Sequence, residues 1–143
     1  MPELEGNNAL NSRIEFGILA DLRHSIRRFL AFGDQNAQKS GLTPQQYQAL
    51  LGIKAGYVGR ESISVGELAE HLLIKHHSAV ELSGRLEAAK FITRTQDPKD
   101  RRVVLLSITP AAERVLGELS RGNLHELRLA VPASYSATPG GRS

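Results

Sequence analysis

Lys75–Pro110 reads KHHSAVELSGRLEAAKFITRTQDPKDRRVVLLSITP. From His77 to Ala89 the apolar residues Ala79, Leu82, Leu86 and Ala89 recur at steps of three and four, the spacing of one helical face. His77, Ser78, Glu81 and Arg85 fall off that face and project outward. Phe91–Gln96 and Arg102–Ile108 then carry strand formers, among them Ile92, Thr93, Thr95, Val103 and Leu105. Between the two runs stands Asp97-Pro98-Lys99-Asp100, residue types that close a tight turn. The order is therefore helix, strand, charged turn, strand.

Working upstream, two short helices precede this unit. Thr43 is a good N-cap, Pro44 suits the first helical turn, and Gln46 stands three residues on, as in a capping box. Leu42 is placed to staple onto Tyr47, and the helix carries Leu50, Leu51 and Ile53 before stopping near Gly56, with Gly59 beyond. Ser62-Ile63 reads as a minimal strand. Ser64-Val65-Gly66-Glu67 repeats the cap spacing and starts a helix with Leu68, Leu72 and Leu73 inward. A turn at Ile74–His76 leaves little room for a loop, so this helix and the next cross steeply, as in a helix-turn-helix. The fold class is mainly α with a small antiparallel β-hairpin: a winged helix-turn-helix flanked by terminal helices.

The flanks read as follows. Ile14, Ile18, Leu22, Ile26 and Phe29/Leu30 form one stripe on a helix from Arg13 to Ala37. At about 36 Å such a helix exceeds what a reading domain needs for its own core. Periodicity alone is consistent both with a dimerisation helix and with one packed inside its monomer. Thr109-Pro110 caps a last helix with Val115, Leu116, Leu119, Leu124 and Leu127, and Gly122 is where it is expected to break. PASYSATPGGRS, from Pro132 onward, is a low-complexity tail expected to be disordered. The domains expected are residues 1–40 (N-terminal dimerisation helix), 41–109 (winged helix-turn-helix), 110–131 (C-terminal dimerisation helix) and 132–143 (tail).

Composition narrows the chemistry. The 143 residues suit one core, and the chain has no Cys, which excludes disulfides, thiolate metal sites and cysteine redox switching. With no apolar run long enough to span a bilayer and no basic-then-apolar start, a cytoplasmic location is expected. Net charge is +3, but residues 75–102 hold seven basic against four acidic side chains, the largest local excess. That excess sits on the helix and hairpin already singled out, which points to duplex DNA as partner.

On such a helix His76, His77, Ser78 and Arg85 can reach base edges or phosphates in a major groove. Glu81 is four residues before Arg85, and pairing within the helix is its favoured role. Lys99, Arg101 and Arg102 supply cations at the hairpin tip for a minor groove or its phosphates. Asp97 and Asp100 have the wrong sign to meet DNA; their role is to fix the turn and hold an arginine. Adjacent histidines at a helix start point in different directions, so a metal site made by His76 and His77 with His24, His71 or His125 is the less favoured reading. No nucleophile–base arrangement, phosphate loop or carboxylate pair stands out, and neither an enzyme nor a cofactor is expected.

From Leu42 to Leu127 the chain resembles the MarR (multiple antibiotic resistance regulator) family of winged helix-turn-helix regulators. The resemblance rests on LTPQQYQALLGI, SVGELAEHLLI, HHSAVELSGRLEAAKFI and DPKDRRVVLLSITPAAERVL. It implies a homodimer with interleaved terminal helices, bound as a repressor to a pseudo-palindromic operator. It also implies release by a small aromatic or phenolic effector. On it, the first helix reads as dimerisation, and the major-groove and wing residues are those named above. Lys90 stands where relatives have a glycine ending the recognition helix; at positive φ it costs about 1 kcal/mol relative to Gly. Ser83-Gly84 replaces an apolar-then-charged pair. The alternatives are a winged-helix protein-interaction module and a metal-responsive regulator.

Overall fold

A computed structural model describes residues 2–56, 60 and 62–130, the side chains of 2–5, 7 and 123–130 excepted. The expected disordered tail at 132–143, Gly59 and the side chains of Leu124, His125 and Leu127 lie outside these. Its elements are α1 (Pro2–Lys39), α2 (Pro44–Ala55), β1 (Ile63–Ser64), α3 (Val65–Leu72), α4 (His76–Ala88), β2 (Ile92–Gln96), β3 (Val104–Ile108) and α5 (Pro110–Ala130).

The three strands form one antiparallel sheet in the order β1-β3-β2. Ile63 pairs with Leu106, and β2 runs against β3 from Ile92↔Ile108 to Gln96↔Val104. One buried cluster joins sheet and helices: Leu42, Leu50, Leu68, Leu82, Leu86, Ile92 and Leu106 meet Ala79, Ala112, Leu116 and Leu119. Each large side chain of this kind contributes roughly 1.5–3 kcal/mol on leaving water. The start signals work as the residue types dictate: Thr43 with Gln46, and Ser64 with Glu67, each close a complete capping box.

Helix ends explain where the chain turns. In α1, Leu42 N–H donates to Ala37 and Gly41 N–H to Gln38. In α3, Ile74 donates to Ala69 and Leu73 to Glu70; in α4, Phe91 donates to Leu86 and Lys90 to Glu87. All three are Schellman turns, which place one residue in the left-handed region. Those residues are Gly41 (φ 83), Leu73 (φ 56) and Lys90 (φ 65), so two of the three carry a side chain where glycine is favoured.

This corrects several expectations. Leu73 does not point inward; the left-handed turn swings it out, 92% exposed, and Ile74 takes the packed position instead. Ala89, one residue past α4, is also exposed. Leu51 is 41% exposed, on the side of α2 away from the core. Helix α1 starts at Pro2 rather than Arg13. Gly122 does not break α5, which continues to Ala130. There a Cβ would stand 3.4 Å from Asn36 Nδ2 of α1, so the glycine marks the close approach of the two terminal helices. No described helix is long and apolar enough to cross a membrane.

Gly41→Ala is expected to lower stability by about 1 kcal/mol, since nothing crowds its Cβ position and only backbone strain enters. Leu73→Gly is expected to raise it by about 0.5–1 kcal/mol, because relief of left-handed backbone strain outweighs the little burial that a 92% exposed side chain gives up. Urea denaturation at fixed chain concentration checks both signs.

Candidate nucleic-acid interface

Helix α4 is held by its inner face: Ala79, Leu82, Ser83 and Leu86 are all buried. Ser83 is the single buried polar residue among those described, and its hydroxyl donates to Val80 O at 2.8 Å. The sequence-predicted residues occupy the rest of the circumference. His76, His77 and Arg85 are exposed and Ser78 is half-buried. Arg85 Nη2 stands 4.0 Å from Glu81 Oε2, both side chains about two-thirds exposed, a loose pair worth a few tenths of a kcal/mol. Lys75, at the N-cap position, makes no side-chain cap, so the first amides of α4 have no partner from it.

At the wing tip, Asp97 Oδ1 accepts from Lys99 N–H at 2.9 Å, the closure of an Asx turn. Asp97 N–H donates to Val103 O and Val103 N–H to Asp100 O, both at 2.9 Å. Asp100 accepts from the backbone N–H of Arg102 at 3.1 Å, from its Nε at 3.1 Å and from its Nη2 at 3.3 Å. Arg102 is nonetheless 90% exposed, so the carboxylate orients the guanidinium without hiding it. The side chains of Lys99 and Arg101 are exposed and have no partner among the described residues.

A contact that links these two parts is not among the residues the sequence singles out. Glu87, in the last turn of α4, binds Arg94 of β2: Arg94 N–H donates to Oε2 at 3.2 Å and Nη2 donates to Oε1 at 2.9 Å. The signal for it is the strand phase. Ile92 is buried, so Arg94, two residues on, shares the side of β2 that faces α4. Nearby, Thr109 Oγ1 donates to Lys90 O at 2.7 Å and accepts from Ala112 N–H at 3.3 Å. One hydroxyl thus ties the α4–β2 turn to the first turn of α5.

Among the described residues the histidines form no cluster. His71 packs its ring over Gly52, where a Cβ would stand 2.5 Å from its Cδ2, while His76 and His77 lie at the start of α4. Among the described residues no three His, Asp or Glu side chains are grouped as metal ligands.

Comparison with known proteins places this geometry in a class. Residues 40–103 match the model of the MarR family. The HTH-type transcriptional repressor MdtR of Bacillus subtilis is 33% identical over 101 residues, covering 71% of this chain and 59% of that protein. The match thus spans about six-tenths of this curated relative's length. A mutant MarR from E. coli complexed with operator DNA superposes with TM-score 0.65 at 19% identity, 87% of each chain covered. BpsR of Bordetella bronchiseptica, whose DNA binding is regulated by 6-hydroxynicotinic acid, gives TM-score 0.64 at 21% identity, covering 82% of this chain and 89% of that one. These last two are likenesses of fold. Over residues 40–103 the chain belongs to the MarR family.

The Asp100 carboxyl sits below the usual aspartate range because it accepts from the Arg102 side chain, then from its backbone amide. A depressed pKa means the hold is intact above the unfolded value and is lost as pH falls through the folded one. The Arg102 Nε–H resonance is therefore expected to stay constant from neutrality down to the ordinary aspartate range and to move only below it; Asp100→Ala abolishes that titration.

Proposed function

We propose that the chain is a sequence-specific, DNA-binding transcriptional regulator that acts as a homodimeric, ligand-responsive repressor on a pseudo-palindromic operator. One observation carries this reading: an exposed face of α4 and an exposed, carboxylate-oriented arginine at the hairpin tip are joined through a single ion-paired contact. His76, His77, Ser78 and Arg85 then face the major groove, and the uncapped amides of α4 offer a phosphate site at the helix start. Lys99, Arg101 and Arg102 contact the neighbouring minor groove or its phosphates, with Asp97 and Asp100 shaping the tip.

The dimer rests on α1. Leu10, Ile14, Phe16, Ile18, Leu19, Leu22, Ile26 and Leu30 are each about half or more exposed in the single chain. Contiguous apolar surface on this scale marks an interaction face, and a second copy supplies a matching one by two-fold symmetry. Helices α1 and α5 already pack on each other within the chain, so both termini contribute.

The effector reading rests on a slot of about 90 Å³ between α1 and α2, lined by Phe29, Leu30, Gly33, Asp34, Tyr47, Gln48 and Leu51. Its walls are mostly apolar, with the Tyr47 ring against Gly33. Those walls match a small aromatic or phenolic effector in chemistry, the class to which the 6-hydroxynicotinic acid of BpsR also belongs, and the slot must widen to admit one. Its place between the helix proposed to dimerise and the one that supports α3 lets occupancy bias the spacing of two reading units.

Three measurements test the reading. A gel shift with the duplex upstream of the chain's own coding region is expected to give a complex that weakens steeply with salt; no shift at low salt would favour a protein-interaction module instead. Arg101→Ala and Arg102→Ala should each lower affinity by about tenfold and reduce the log–log salt slope by roughly 0.9, the loss of one phosphate contact. Parental binding by both variants would rule the wing contacts out. Sedimentation equilibrium should return twice the 15.6 kDa chain mass. Ile18→Asp with Leu22→Asp should return the monomer.

A further inference from the structure

Arg94 occupies a position where a strand normally buries an apolar side chain. It shares the face of β2 with Ile92, which is 2% exposed, and its register partner on β3 is Leu106, which is fully buried. Its side chain is about one-third exposed, and the guanidinium runs across α4 where Gly84 has no side chain: a Cβ there would stand 4.0 Å from Nη1. Glu87 meets it with both carboxylate oxygens, one taking the backbone amide of Arg94 and the other its guanidinium. The guanidinium in turn holds the Glu87 carboxyl below the usual glutamate range.

We infer that Glu87 is a positioning residue for duplex recognition: it clamps β2, and the wing with it, at one setting relative to α4, and withholds Arg94 from DNA phosphates. The inference rests on the DNA-binding reading above. Two consequences follow from the geometry. A backbone–side-chain pair of bonds restrains strand position as well as side-chain direction, so the distance between groove-facing helix and hairpin tip is set by Glu87. Selected sequences reward that spacing, whereas unselected duplex rewards only the count of available cations. Opening the clamp therefore lowers selected binding relative to unselected binding, because the loss of spacing comes with the release of one arginine.

The test uses the full chain and two duplexes of equal length, one recovered by in vitro selection from a random pool on the parent chain, the other unselected. Affinities are measured across a salt series, with melting curves for every variant. Glu87→Ala is expected to weaken the selected duplex about tenfold while unselected binding holds or tightens. Its unselected log–log salt slope should steepen by roughly 0.9, the increment for one added phosphate contact. Glu87→Ala with Arg94→Ala should lose that steepening. Glu87→Gln, which keeps one acceptor, should fall between parent and alanine variant, and it carries the same comparison if the alanine variant does not fold. Parallel loss of both affinities, or an unchanged slope, overturns the inference and leaves Glu87 a fold-maintaining residue. A parent chain that selects no duplex at low salt sinks the DNA-binding reading and this inference together. A parent that selects one, while Glu87→Ala keeps the parental ratio, sinks the inference alone.

Discussion

The burial of one face of α4 is the constraint on which the remaining structure depends. Ala79, Leu82 and Leu86 pack α4 against α3 and β2, in one buried cluster with Leu50, Leu68, Ile92 and Leu106. Nothing polar on that face needs solvent, since the Ser83 hydroxyl is satisfied inside the helix's own turn. With the inner face fixed, the outer face is fixed by default. A residue's chance of meeting DNA is then decided by its angle from Leu82 and Leu86 rather than by its chemistry. Leu86 is fully buried, the situation in which a truncated leucine costs roughly 2–5 kcal/mol.

Around this apolar anchor the chain uses short polar joints at places where elements change direction. The Lys90 turn is held on three sides: by its own amide to Glu87, by Phe91 N–H to Leu86, and by the Thr109 hydroxyl on Lys90 O. That triple hold is a physical reason the left-handed lysine persists. About 1 kcal/mol of backbone strain is offset by hydrogen bonds that glycine would also make but that no other path of the chain would. Leu73 has the first two holds and no third, and its side chain gains nothing by exposure. The fit of α3 against α2 depends in turn on a missing side chain, since His71 lies where a Cβ on Gly52 would be.

How much of this is legible in the sequence depends on the range of the interaction. The capping boxes at Thr43 and Ser64 and the Asp97 and Asp100 turn are local, within three residues, and their chemistry is written in the residue types. The MarR resemblance follows from the same local signals in order. Leu73 escapes such a reading because helical period continues through it while the Schellman turn stops the helix one residue earlier. Gly122 escapes it because propensity counts against glycine, whereas the close approach of Asn36 on α1 is a contact between distant segments of the chain. In the sequence Arg94 is one of the seven basic residues of 75–102. Its inward side and its partner follow only from the phase of β2, which is set by burial of Ile92.

The exposed stripe on α1 and the slot beside Tyr47 belong to one problem. A ligand shifts an equilibrium only by its differential affinity for two arrangements. A slot walled wholly within the reading domain would stay the same however the two domains of a dimer were spaced. This slot is walled by both: Phe29, Leu30 and Gly33 come from α1, and Tyr47, Gln48 and Leu51 from α2. Leu30 is at once the last residue of the exposed stripe and a wall of the slot. In the proposed dimer, any shift of α1 against its partner therefore changes the shape of the slot, and any ligand filling it resists that shift. The coupling needs no pathway through the core. It needs α2 to move as one body with α3 and α4, which the shared cluster around Leu50 and Leu68 enforces.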